Sequence, residues 1–138
     1  MSTNDNKKVV EEFFTGGGTD PLSALSDDVR WTVIGTTAFS GTYNGKQEVI
    51  EKLFGPLMAK LQGPGSTDVK NVVAEGDFVV VQSQAKDRIT HDGRPYNNTY
   101  CVVLRLRDGK VVEVDEYCDT ELITAAFGSK EAASAGAG

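Results

Sequence analysis

Histidine occurs once, tryptophan once and cysteine twice in 138 residues, and no apolar run approaches the roughly 18 residues that a membrane-spanning helix needs. The lone histidine, His91, falls in a turn sequence and is expected in water. That leaves no Ser-His or Cys-His pair for nucleophilic catalysis and no cluster of metal-ligating side chains. Lysine and arginine number 14 against 20 acidic residues and are scattered along the chain with no run longer than Lys7-Lys8, so the clustered basic face that nucleic acid requires is missing. Gly16-Gly17-Gly18 follows no strand and is not a phosphate loop. No cofactor is implied, and neither nucleic acid nor membrane is an expected partner. The opening stretch MSTNDNKKVV lacks the apolar core of a secretory signal, which points to a cytoplasmic protein. In that reducing setting Cys101 and Cys118 are expected as free thiols.

What is present suits one globular domain: 39% hydrophobic and 25% charged residues are near the average for such chains. Asn4 or Asp5 can cap a helix through Phe14, whose Val9, Val10, Phe13 and Phe14 follow helical spacing. Asp20-Pro21 restarts a short helix, and Val29 to Ile34 alternates as a strand. Val49, Ile50, Leu53, Phe54, Leu57 and Leu61 again follow helical spacing, with a kink expected at Gly55-Pro56. From Thr67 onward β-branched residues are divided by Glu75-Gly76-Asp77, His91-Asp92-Gly93-Arg94 and Arg107-Asp108-Gly109 into four long strands. The order is α+β, a curved antiparallel sheet wrapped around the N-terminal helices. One domain is expected over residues 1–128, with 129–138 a disordered tail.

Hydrophobic alternation tests hairpin register, because a one-residue slip turns every side chain to the other face. A three-residue loop Arg107-Asp108-Gly109 pairs Leu104 with Val112, Val102 with Val114, Tyr100 with Glu116 and Asn98 with Cys118, separating apolar from charged residues. A two-residue loop mixes the faces and is rejected. Asp92-Gly93 reads as a two-residue type I′ turn pairing His91 with Arg94, which aligns Ser83 with Val102, Ala85 with Tyr100 and Asp87 with Asn98. Arg88 falls on the outer face.

The inner face is apolar except at one end, where Glu116 gathers with Asp87 and Asn98. A carboxylate there must be paired, protonated or solvated by a cavity, and desolvation would raise its pKa toward that of a general acid or base at neutral pH. Glu116 and Tyr100 are therefore the candidate catalytic residues. Asn98, Asp87, Trp31, Ser83, Val102, Val114, Cys118, Phe54 and Met58 are the candidate substrate contacts. The plainer alternatives stay open: Glu116 in water at the mouth or bonded structurally by Tyr100, Asp87 a hairpin-end charge, Trp31 plain core.

The stretches DDVRWTVIG, SGTYNGKQEVI and DGRPYNNTYCVVLRLRDGKVVEVDEYCDTELI closely resemble the SnoaL-like branch of the nuclear-transport-factor-2 superfamily, which includes polyketide cyclases and ketosteroid-isomerase-like proteins. The resemblance runs up to Phe127 and implies a cone-shaped, cystatin-like fold. The epoxide-hydrolase relatives carry an Arg, two Asp, a Tyr and an Asn at positions that look like Ser83, Ala85, Glu116, Trp31 and Val33. Only the last-strand carboxylate survives, so epoxide hydrolysis is not expected. The steroid isomerases' oxyanion-hole Tyr and Asp look like Phe13 or Phe14 and Val102, so that device is absent too. What remains resembles the cyclase arrangement, in which one pocket acid or base enolises a carbonyl compound. The resemblance implies a cofactor-independent isomerase, cyclase or lyase acting on a small apolar carbonyl compound; a noncatalytic module for an apolar ligand is the alternative. It also implies a homodimer through the outer sheet face, where Val103, Val111 and Gln84 lie.

Overall fold

The computed structural model describes residues 2–15 and 21–129. Helix α1 (Thr3–Thr15) is capped by Ser2, not by Asn4 or Asp5. The Asp5 N–H donates to Ser2 Oγ and the Ser2 N–H to Asp5 Oδ2, both at 3.1 Å, the reciprocal arrangement that satisfies two orphan donors of a first turn. The expected glycine stop at 16–18, the Asp20 cap and nearly all of the expected tail lie outside the described residues. A 3₁₀ turn over Pro21–Ala24 leads into β1 (Leu25–Val33), and β2 (Gly41–Asn44), short and unsignalled by alternation, returns beside it.

The next helix is continuous: α2 (Lys46–Glu48), a π-helical Val49–Phe54 and α3 (Gly55–Ala59). The expected kink takes the form of this widened segment, where the Gly55 N–H reaches back five residues to the Ile50 carbonyl. Pro56 has no N–H for the usual bond, and π-helical widening is one way a helix absorbs that loss. A Cβ on Gly55 would stand 2.9 Å from the Ile50 oxygen, so the close approach needs glycine.

Strands β3 (Ser66–Glu75), β4 (Phe78–Lys86), β5 (Thr99–Arg107) and β6 (Lys110–Cys118) form the expected meander. The sheet order is β2-β1-β6-β5-β4-β3, a curved mixed sheet in which β1 runs parallel to β6 and the other neighbours are antiparallel. A closing helix, α4 (Thr120–Phe127), was not among the expected elements; Asp119 caps it through the Leu122 N–H. Val10, Leu25, Val29, Val79, Val81, Leu104, Val111 and Val114 fill the core between helices and sheet.

Both expected hairpin registers are displaced by two residues, and each loop takes the form expected of the other. Arg107 pairs with Lys110 around a two-residue Asp108-Gly109 turn, with both central residues at positive φ (53° and 77°). Face mixing is avoided because the register shifts between Arg105 and Leu106: Val112 is an extra residue, so Val111 and Val114 both turn inward. Tyr100 therefore pairs with Cys118 and Val102 with Glu116. The other hairpin closes through a Thr90–Gly93 turn with Gly93 at φ 86° and the Thr90 N–H donating to Arg94 O, a three-residue loop. Ser83 consequently faces Tyr100, and Val81 faces Val102. A further bulge at Asp87, φ 59°, leaves both Lys86 and Asp87 exposed and turns Arg88 inward.

Candidate functional site

The inner end of the sheet and the helices enclose a partly open cavity of ≈ 210 Å³. One wall is aromatic: Phe54 meets Trp31 edge-on at 5.0 Å, and Phe13 stands 6.3 Å from Trp31 and 5.2 Å from Phe14. Leu57 and Met58 continue that wall, with Met58 exposed at the rim. The sheet supplies Val33, Ser83, Tyr100, Val102 and Glu116, and the bulged connection supplies Arg88. An apolar cavity of about 150 Å³ already admits benzene, whereas enclosing a drug-sized ligand takes roughly 300 Å³ or more. The enclosed part of this half-open space has room for a body of one or two rings.

Glu116 is set between Val33 on β1 and Val102 on β5, so its carboxyl projects from an apolar strip. Burial pushes its pKa from 4.5 up to about 7, against smaller opposing effects of the Trp31 indole and the Arg88 charge. The Trp31 N–H favours the carboxylate from nearby but closes no hydrogen bond of its own. Opposing protonation states are thus nearly balanced at neutral pH, the condition under which one group both takes and returns a proton. Burial also pushes the Tyr100 hydroxyl far up, with Tyr96 and Glu116 adding to it. It remains a neutral phenol, and it accepts a 3.4 Å bond from Arg88 Nη1.

The profile of the SnoaL-like domain family matches residues 8–114. The chain belongs to the SnoaL-like family. Similar solved structures include a nuclear-transport-factor-2-like protein of unknown function from Burkholderia pseudomallei, 23% identical over 92% of this chain and 98% of that one, with a TM-score of 0.74. A Bacillus subtilis protein provisionally named an isomerase is 18% identical over 94% of this chain and 98% of its own, TM-score 0.75. TerC, co-crystallised with polyporic acid, is 19% identical over 88% of this chain and 97% of its own, TM-score 0.71. At these identities the structures show the shared fold. No curated protein matches the chain.

Within this SnoaL-like cone, the sequence-derived site residues divide into two groups. Glu116, Tyr100, Trp31, Ser83, Val102, Phe54 and Met58 line the cavity; the hydroxyl of Ser83 is buried without a partner. Four lie elsewhere. Asp87 is exposed, because its left-handed backbone takes it out of the alternation. Val114 is core, 1% exposed and paired with Leu104 and Trp31. Cys118 flanks Tyr100 along a shallower groove with Cys101 and Tyr117, and burial with the Glu116 charge pushes its thiol up to about 12. Asn98 is fully buried and its amide is committed: it donates to Tyr96 Oη and Asp119 O and accepts from the Thr99 and Asp119 N–H groups. It ties β5 to the start of α4 and offers nothing to a guest.

Thr67, Arg88 and Tyr96 are the polar lining residues that sequence reasoning missed, Arg88 because strict alternation put it outside. Phe13 and Phe14, expected at helical spacing and at the position of the steroid isomerases' Tyr, form cavity wall. Among the described residues no group of three or more His, Cys, Asp and Glu side chains is placed to hold a metal ion, and no helix is long and apolar enough to cross a membrane.

Proposed function

We propose that this SnoaL-like protein is a cofactor-independent enzyme of the isomerase, cyclase or lyase kind, in which Glu116 moves a proton at the carbon next to a carbonyl. The observation that carries the reading is the carboxyl of Glu116, desolvated on an otherwise apolar strip and brought to about 7. An ionised Glu116 abstracts the proton, and the same carboxyl returns it at another carbon or leaves it on the product. Tyr100, its oxygen already bonded by Arg88, supports the hydroxyl contact to the developing enolate oxygen. In this role Arg88 replaces Asn98, whose amide is committed elsewhere. The aromatic wall holds the guest beside the base, which lowers the entropic part of the barrier. The small cavity supports a compact one- or two-ring carbonyl compound. The polyporic acid in TerC crystals supports small organic molecules as guests of the fold.

The other reading, a binding module without chemistry, draws on the same apolar wall of Phe13, Phe14, Phe54 and Leu57. Incubation of a small enolisable ketone in deuterated buffer separates the two. Under the enzyme reading, α-hydrogen exchange accelerates with the wild-type protein and collapses with Glu116→Gln while the ketone still binds. Under the binding reading neither protein accelerates it.

A homodimer through the outer sheet face belongs with this proposal, with one revision: Val111 is fully buried in the core, so Val103 and the exposed Tyr117 carry the apolar part of that face. Light scattering showing only monomer would count against it. Cytoplasmic location likewise remains part of the proposal.

A further inference from the structure

Arg88 is the one basic side chain that lines the cavity among the described residues. The chain holds it from three sides: Nε donates to Pro64 O at 3.1 Å, Nη2 to Thr67 Oγ1 at 3.3 Å and Nη1 to Tyr100 Oη at 3.4 Å. All three acceptors are neutral. Among the described residues no Asp or Glu oxygen lies within 4 Å of the guanidinium, whereas Arg30 and Arg105 share Glu113, and Lys70 and Lys86 share Asp68. A guanidinium carries five N–H donors, so the three bonds leave one on each terminal nitrogen. A half-buried charged group with spare donors and no salt bridge, its charge reaching Glu116 across the cavity without contact, has room for an anion, because desolvated charge is normally paired. Its anchors are built in. Gly65, next to the Pro64 carbonyl, sits at φ +60°, where a Cβ would meet Lys86 O at 2.4 Å and the Arg88 side chain at 2.7 Å. Thr67 and Tyr100 are themselves lining residues, so the cation is fixed at the polar end of the cavity opposite the aromatic wall.

We infer that the guest is an organic acid: its anionic oxygen, a carboxylate or an acidic enol, pairs with Arg88 at the Thr67 and Tyr100 end, and its apolar body lies against Trp31 and Phe54. This rests on the proposed Glu116 chemistry and names the substrate class for it. The anion orients the guest so that the carbon to be deprotonated faces Glu116. Arg88 thereby takes the polar-contact role that the expected hairpin register assigned to Asn98.

The probe is phenylpyruvate against its methyl ester, two enolisable compounds that differ in the anionic oxygen. Isothermal titration is run on wild type, Arg88→Met and Arg88→Lys, each checked by its thermal midpoint. The acid should bind wild type roughly 10- to 100-fold more tightly than the ester, the range for a hydrogen bond to a charged partner. Arg88→Met should erase that preference with little change for the ester, and Arg88→Lys should keep part of it. Equal binding of acid and ester to wild type, a preference that survives Arg88→Met, or binding of neither compound overturns the inference. The outcomes separate from the proton-transfer reading: ester that exchanges its α-hydrogens in a Glu116-dependent way, with no acid preference, refutes the role of Arg88 alone.

Discussion

Replacing Glu116 by Gln removes the ionisation but keeps the size and a polar head, and its effect on stability has a definite sign. The folded chain holds the carboxyl at about 7 against an ordinary 4.5. Between those values the unfolded chain has released the proton while the folded chain keeps it. Wild-type stability therefore declines as pH rises through this window and levels off above about 8. At ~1.4 kcal/mol per pH unit the gap is worth roughly 3 kcal/mol. Glu116→Gln, already neutral, escapes that decline. Urea denaturation of both proteins from pH 4.5 to 9, extrapolated linearly to water, gives the difference in stability at each pH, and groups common to both proteins cancel. The variant should gain on the wild type by about 3 kcal/mol between the acidic and alkaline ends, with most of the gain between pH 5 and 7.5. A difference that stays flat with pH, or a wild type that gains at alkaline pH, would refute the argument that burial dominates the Glu116 environment.

Other substitutions probe the surroundings of the site. Asn98→Ala removes four hydrogen bonds and strands partners in the core; a loss of about 2–4 kcal/mol by the same denaturation assay is expected. Ser83→Ala deletes a buried hydroxyl that has no partner and should leave stability unchanged or raise it by up to about 1 kcal/mol. Gly65→Ala puts a side chain against Lys86 O and Arg88, and should lower the thermal midpoint and weaken binding of the acid more than that of the ester. Cys118, its thiol pushed up to about 12, should resist iodoacetamide at pH 8, as followed by mass spectrometry of the modified peptide; rapid labelling there would show that the thiol is more open than its packing implies.

The faces of the strands were legible in the sequence, and the cross-strand partners were not. Alternation has a period of two, so it fixes register only to within an even number of residues. Beyond the bulges both hairpins were displaced by two and kept their inner and outer faces: Glu116, Tyr100, Ser83 and Val102 came to the cavity by parity alone. What parity could not show was where the count breaks. The extra residue at Val112 makes a two-residue Asp108-Gly109 turn compatible with an apolar inner face. The left-handed Asp87 exchanges the expected pocket carboxylate for an arginine. Neither bulge carries a glycine to announce it. Val114 and Asn98 illustrate a second limit: an inward direction is shared by core and cavity, and depth depends on what the helices cover. The helical periodicity around Leu53 placed Phe54 on the cavity wall, whereas the helical spacing of Leu122, Ile123, Ala126 and Phe127 between Asp119 and Gly128 went unread.

The carboxyl of Glu116 can be observed directly by carbon-13 NMR of protein labelled at the glutamate side chains, with Glu116→Gln assigning the resonance. A titration midpoint near 7 is expected in the unliganded protein, about where the desolvated strip places it. A midpoint near 4.5, that of a glutamate in water, would contradict it.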